Sequence, residues 1–315
     1  MCAKLLVPLT LVMASCASVP SDRSQNVAPT ASLSTMPAKE FIGSFAPWDD
    51  WDKPAPPFSI MGNSFYVGTC GISAILIRGD DGHILLDSGV PEAAPLILAN
   101  IRSLGVDPRD IRFILMSHEH YDHVGAHAAL AAATDAQIVA SEQAAQVLER
   151  GVVSEEDPQA AMGHPPFPRV KVDRIVVDGE VVKLGNLELT AHTTPGHSPG
   201  AMSWTWASCN LPGDPPVCRN VAYVDSLSAV SADDYRFTDH PEVVAAFRKS
   251  IDKVRSLPCD YLLTPHPSAS QMLKDLRDET FGEPGACQRY ADGLSQKLED
   301  RLAKEKSKRA PGNWL

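Results

Sequence analysis

Just after an apolar run at 111–116 the chain reads Ser117-His118-Glu119-His120-Tyr121-Asp122-His123, an HxHxDH pattern that packs four metal-type donors into six residues. No other feature restricts the fold as tightly. A solvated loop has no need of so many imidazoles, and a hydrophobic core does not accept four adjacent ionisable groups unless a charge satisfies them. Two histidines two residues apart at a strand end can point to one side and share an ion, while Asp122 and His123 can turn toward a second ion a few ångströms away. The run at 111–116, apolar apart from Arg112, reads as the largely buried strand that delivers this loop.

Two further histidines also stand just past predicted strands. His197 lies in Thr194-Pro195-Gly196-His197-Ser198-Pro199-Gly200, where Pro and Gly fix an unusual backbone that presents the ring. His266 lies in Leu263-Thr264-Pro265-His266-Pro267. Either alone would more often be a surface or capping residue; beside the first four donors they complete a set. The six divide into His118, His120 and His197 for one ion and Asp122, His123 and His266 for another, leaving open positions for water and substrate. Nitrogen and oxygen donors without thiolate suit zinc, with iron and manganese also compatible by ligand type. Two Zn2+ at a catalytic site are expected. His127 and His192 lie near these motifs and are expected in surface or core roles more than as hydrogen-bonding partners of the ligands.

Strands are predicted at 64–67, 74–78, 83–87, 111–116, 174–177, 181–184, 187–193, 202–206, 221–224 and 261–263, with Asp80-Asp81-Gly82 as a turn. Helices are predicted at 92–104, 125–133, 142–150, 242–257 and 287–304. Strands in two groups with helices between them give an α/β fold of two mixed β-sheets packed face to face, helices on the outer faces. The loop at 151–169 carries four prolines and is long enough to border a substrate groove.

Charge decides the class of partner. With 28 Lys+Arg against 39 Asp+Glu the net charge is −11, and no basic block precedes the last dozen residues, so nucleic acid is not an expected partner and a small molecule is. A hydrophobic share of 44% with 21% charged residues argues against disorder. Residues 1–17 read as an export signal: one positive charge at Lys4, a mostly apolar run too short to span a bilayer, then small residues. Met13-Ala14-Ser15-Cys16 is similar to a bacterial lipobox, and acylation at Cys16 is favoured over ordinary cleavage beyond it. A periplasmic monomer is expected, its membrane contact confined to that anchor on the outer membrane. Residues 18–50 read as a Pro/Ser-rich linker or arm, 51–306 as the catalytic domain and 307–315 as a tail. Trp48, Trp51 and Phe58 are expected to pack on the core edge in preference to the lip of a site.

Of seven cysteines, Cys2 and Cys16 fall in the leader, leaving Cys70, Cys209, Cys218, Cys259 and Cys287, of which any four can pair in three ways. Cys209 and Cys218 flank a Pro/Gly-rich loop between neighbouring strands, and Cys70 is expected as a buried free thiol.

The chain resembles the metallo-β-lactamase superfamily, and within it the subclass B3 enzymes, from about 58 to 304. The resemblance rests on Gly62-Asn63, Tyr66-Val67-Gly68, His83-Ile84-Leu85-Leu86-Asp87-Ser88-Gly89, the HxHxDH loop, the Thr-Pro-Gly-His turn, Ser203-Trp204-Thr205-Trp206, Asp225-Ser226-Leu227-Ser228, and Leu257-Pro258-Cys259-Asp260 leading into Thr264-Pro265-His266-Pro267. HxHxDH alone is shared with thioesterases, lactonases, nucleases and phosphodiesterases; the later motifs narrow it to B3. The resemblance implies an αβ/βα sandwich with a dizinc site at one edge, and opening of a β-lactam ring by a zinc-bound hydroxide. Asp122 would orient the nucleophile or relay a proton. Ser226 and Ser228 would hydrogen-bond the substrate carboxylate, with turn stabilisation as their alternative role, and Tyr235 would lie near the same groove. A Cys259–Cys287 disulfide is implied beside Cys209–Cys218. Many superfamily hydrolases use the residue matching Asp225 as a bridging ligand, whereas B3 enzymes do not, so Asp225 is expected to be structural. An exported hydrolase of a lactone, thioester or phosphodiester is the alternative, and metal ligation by Asp225 would favour it. A metal-binding lipoprotein without catalysis fits poorly with open coordination positions. Ser198, Ser226 and Ser228 lack a Ser-x-x-Lys partner, which argues against a serine β-lactamase.

Overall fold

The computed structural model describes residues 36–210 and 217–309. The expected leader, the first part of the arm and the end of the tail lie outside them. Short strands that are apolar on both faces belong between two covering layers, and β1 (Phe58–Met61), β2 (Ser64–Tyr66), β3 (Ile75–Arg78), β4 (His83–Leu86), β5 (Ile111–Leu115), β6 (Gln137–Ala140) and β7 (Arg174–Ile175) form one seven-stranded sheet in that order. Its first four strands pair antiparallel and β4 to β7 pair parallel. The second sheet, of five strands, runs β12 (Tyr261–Leu263), β11 (Cys218–Tyr223), β10 (Met202–Cys209), β9 (Leu187–Thr193), β8 (Val181–Leu184); β11 and β12 are parallel and the rest antiparallel.

The sheets meet in one core. Ile75, Ile77, Ile84, Leu86 and Leu115 pack with Leu189, Met202, Trp204, Val221 and Tyr223 from the facing sheet. On the first sheet, the parallel connections run through α2 (Ala94–Ser103), α3 (Tyr121–Val124) and α4 (His127–Thr134), with α4 packed on β5 and β6; α5 (Glu142–Arg150) follows β6. On the second, α6 (Pro241–Ser256) and α8 (Ala286–Arg309) bury Phe247, Ile251, Leu294 and Leu298 against Ala222, Val224 and Leu262. This is the α/β sandwich of two mixed sheets that the residue pattern predicts.

Strand direction places the site. Because β9 and β11 both run antiparallel to β10 and β12 runs parallel to β11, the C-terminal ends of all three open at one edge. β4 and β5 likewise end together. In such sheets the space beyond the carboxyl ends of parallel strands is where ligands are bound.

Several elements depart from the sequence reading. β1 and β6 are four-residue strands, too short and too close to Pro- or Ala-rich flanks to stand out as periodic runs. Within the stretch read as linker or arm, α1 (Ala38–Gly43) forms and seats Phe41, which is fully buried, against Phe58 at a ring distance of 4.5 Å and Tyr66 at 5.4 Å. α7 (Met272–Arg277), also unanticipated, packs beside α1. Cys209–Cys218 and Cys259–Cys287 are disulfides, and Cys70 is a buried free thiol that burial pushes up to about 11. Among the described residues no helix is long and apolar enough to cross a membrane.

Since Phe41 fills a closed aromatic cluster, Phe41→Ala is expected to cost about 3–5 kcal/mol in urea unfolding. A cost well under 1 kcal/mol would show that α1 is dispensable to the core.

Candidate metal centre

Where β4 ends, Asp87 adopts a left-handed backbone (φ +61°) and turns its carboxylate inward. It accepts hydrogen bonds from Ser117 N (2.6 Å), Ser117 Oγ (2.7 Å) and Tyr223 Oη (2.7 Å), tying the ends of β4 and β5 to β11 of the other sheet. The chain leaving β5 is thereby aimed across the sandwich edge, and α3 places Asp122 and His123 on a single helical turn.

The three histidines His118, His120 and His197 offer donor atoms that all lie within 4.8 Å of one another, and so do His118, Asp122 and His123. His266 joins from the loop after β12: its Nε2 is 3.3 Å from Asp122 Oδ2, and its ring is 4.9 Å from that of His123. All six predicted donors therefore meet at one edge. His118 and His123 are fully buried, and His120, His197 and Asp122 nearly so.

Four of the five rings have an oxygen beside their outer nitrogen. His118 Nδ1 lies 2.8 Å from Asp225 Oδ1, His120 Nε2 2.9 Å from Asp157 Oδ2, His197 Nδ1 2.9 Å from the Ser228 carbonyl, and His266 Nδ1 3.3 Å from the Gly71 carbonyl. A histidine whose outer nitrogen donates to oxygen presents the other nitrogen as a lone-pair donor. His118 Nε2 and both ring nitrogens of His123 are buried with no hydrogen-bond partner, which a protein tolerates poorly unless a cation completes them.

The electrostatics agree. Burial holds His118 well below the usual imidazole range and takes His197 down to about 3, with neighbouring histidines adding to the effect, so both rings are neutral. Burial works against a charge on His120 too, but the hydrogen bond and charge of Asp157 outweigh it and push that ring up to about 9; a metal ion would displace its proton. Burial opposes ionisation of Asp122, yet His123 and His266 hold its carboxyl well below the ordinary carboxylate range.

Other predicted residues fall as follows. Asp225 is fully buried, with its Oδ1 2.8 Å from the outer nitrogen of His118, outside both donor groups. Ser226 is buried, and its hydroxyl has no hydrogen-bond partner. Ser228 stands behind His197, with its Oγ 3.2 Å from Nδ1. Tyr235 stacks on His240 at 4.4 Å and meets Phe237 edge-on, in the cluster under α6 and α8. Trp48 and Trp51 correct the expectation of core packing: they are 64% and 37% exposed and stand with ring centres 5.8 and 6.5 Å from His266, at the lip of the site, while Phe58 alone joins the core. His127 is a buried residue whose Nδ1 is 2.7 Å from Ser88 Oγ, and burial takes it down to about 3.

Sequence reasoning missed three side chains. Asp157 backs His120. Gln159 donates its amide to His197 Nε2 at 3.3 Å. Glu119, the unremarked member of the HxHxDH loop, accepts Ser198 Oγ at 2.8 Å and Gly200 N at 2.7 Å, holding the His197 turn against the first histidine loop. The long Pro-rich loop was a signal for the first two; Glu119 had none, since its partners are some 80 residues away. Glu119→Ala orphans two buried donors and is expected to destabilise the protein by about 1–3 kcal/mol for each, read by denaturant unfolding, with Glu119→Gln losing less. Equal losses for the two variants would contradict that bonding role.

Comparison with known proteins agrees with this geometry. The family model described as the metallo-beta-lactamase superfamily matches residues 67–211. The solved structure of the MIM-2 metallo-beta-lactamase is 47% identical and superposes with a TM-score of 0.81 over 86% of this chain and 99% of that one. MEM-A1, a subclass B3 metallo-beta-lactamase isolated from a soil metagenome library, is 39% identical with a TM-score of 0.77, over 82% of this chain and all (100%) of that one. A hydroxyacylglutathione hydrolase of Anaeromyxobacter dehalogenans (strain 2CP-C) is 33% identical over 44% of each chain, and this chain spans only about half the length of the curated relatives it matches. The chain belongs to the metallo-β-lactamase superfamily, and its solved structural neighbours include subclass B3 members.

Proposed function

We propose that this hydrolase is a zinc-dependent β-lactamase that holds two Zn2+ and is exported to the periplasm. The observation that carries the reading is the meeting of six donors at one sandwich edge, in a chain 39–47% identical to metallo-β-lactamases over 99–100% of their length. His118, His120 and His197 would hold one ion; Asp122, His123 and His266 would hold the other. When bound, zinc supplies a water acidic enough to ionise near neutral pH and a Lewis acid for a carbonyl oxygen.

The chain's own residues do the rest. Asp122 Oδ2 lies 3.1 Å from His123 Nε2 and 3.3 Å from His266 Nε2, and the two imidazoles hold its carboxyl well below the ordinary carboxylate range. Its other oxygen is the group that orients the attacking water or takes its proton. The free hydroxyl of Ser226 would donate to the substrate carboxylate. Ser228 acts through His197, which its carbonyl and hydroxyl hold in place. Trp48 and Trp51 would offer apolar surface beside His266 to the bulky part of a β-lactam. Export, with a lipid at Cys16, is supported by the leader and its lipobox-like residues.

Thioester hydrolysis is the second reading, favoured by the hydroxyacylglutathione hydrolase match. Asp225 speaks for the first, because its carboxylate lies beside the outer nitrogen of His118 and does not stand in either donor group. Zinc-loaded protein is expected to hydrolyse a carbapenem, a penicillin or a cephalosporin, followed by loss of lactam absorbance, and to stop on chelation. Asp122→Ala is expected to lower kcat by roughly 10²–10⁴. No turnover of all three classes with both sites filled would overturn the proposal in favour of thioester or lactone substrates.

A further inference from the structure

Residues 152–166 are mostly exposed, and of them only Asp157, Pro158 and Gln159 are buried. The base of the loop is closed by Phe167 N donating to the Gly151 carbonyl at 3.0 Å, its far side meets Trp51 through His164 at a ring distance of 6.2 Å, and its middle is held by that buried triplet. Asp157 is the hub of the triplet. One carboxylate oxygen accepts Gln159 N at 2.7 Å, its carbonyl accepts Ala160 N at 3.0 Å, and the second carboxylate oxygen sits 2.9 Å from His120 Nε2. The neighbouring Pro158 carbonyl accepts Ala232 N at 2.9 Å, which joins the triplet to the segment following Ser228.

A carboxylate on Nε2 puts the proton there and leaves Nδ1 as the lone-pair donor, so the loop decides which nitrogen His120 turns toward the other two histidines. We infer that Asp157 couples this loop to the metal centre: it is a positioning residue that sets His120 to ligate through Nδ1, and a bound ion in turn secures the loop. The inference rests on the metal-binding reading above. Coupling of this kind is reciprocal, because whatever the anchored loop adds to metal affinity the metal must return as stability of the anchored loop.

The loop's own turn does not require the contact with His120. Asp157→Asn keeps an oxygen for Gln159 N and every backbone bond, but it can place an N–H donor against the protonated Nε2. The test is competition of the full-length protein with a chromophoric chelator for zinc, combined with hydrogen exchange of 152–166 with and without zinc. Asp157→Asn is expected to weaken one of the two zinc sites by roughly 10–100-fold, and zinc is expected to slow exchange of the loop in the wild type but not in the variant. Unchanged zinc affinity in a folded variant overturns the inference, as does wild-type exchange that zinc leaves unaltered; the latter holds even if the variant does not fold. Wild-type protein that takes up no zinc at all overturns the metal-binding reading itself, a result distinct from both.

Discussion

Five imidazoles and a carboxylate withdrawn from water within a few ångströms of one another are the constraint on which this structure depends. Charged together, such rings repel in a medium where little screens them; neutral, each must find a hydrogen-bond partner for one nitrogen and a use for the other. The protein takes the neutral solution at His118 and His197 and supplies oxygen behind four of the rings, from Asp225, Asp157, Ser228 and Gly71. What remains is a set of inward donors whose demand a metal ion meets.

Those oxygens come from different loops at both sheets, so the sandwich is the device that assembles them. Asp87 clamps β4, β5 and β11 together directly beneath the site, and Glu119 clamps the two histidine loops. Asp87 and Leu227 hold left-handed backbones at φ +61° and +43°. Such conformations cost about 1–3 kcal/mol each and persist where surrounding bonds over-determine them. Both positions lie within a few residues of groups that shape the site.

The donors were legible in the sequence because they are local events: four in one loop, and two more in Pro/Gly turns, each just past an apolar strand. The sheets were legible for the same reason, since β3 and β5 are mostly apolar runs and β9 and β10 alternate apolar with polar residues. What was not legible is long-range. The bond from His120 to Asp157 spans 37 residues and that from His197 to Ser228 spans 31, and no local pattern pairs either acceptor with its histidine. Ser228 is a substrate contact by family resemblance; in the fold its carbonyl and hydroxyl both face His197. Trp48 and Trp51 looked like core because tryptophan usually is, but Phe41, hidden in a Ser/Pro-rich arm, takes the core position with Phe58 and leaves them at the lip.

The central claim is that these six side chains, and not Asp225, hold two ions. Anomalous diffraction from crystals grown with zinc, recorded on both sides of the zinc edge, tests it most directly. The account predicts two peaks, one about 2.0–2.1 Å from His118 Nε2, His120 Nδ1 and His197 Nε2, the other at similar distance from Asp122, His123 and His266. A single peak, or a peak ligated by the Asp225 carboxylate, would contradict it.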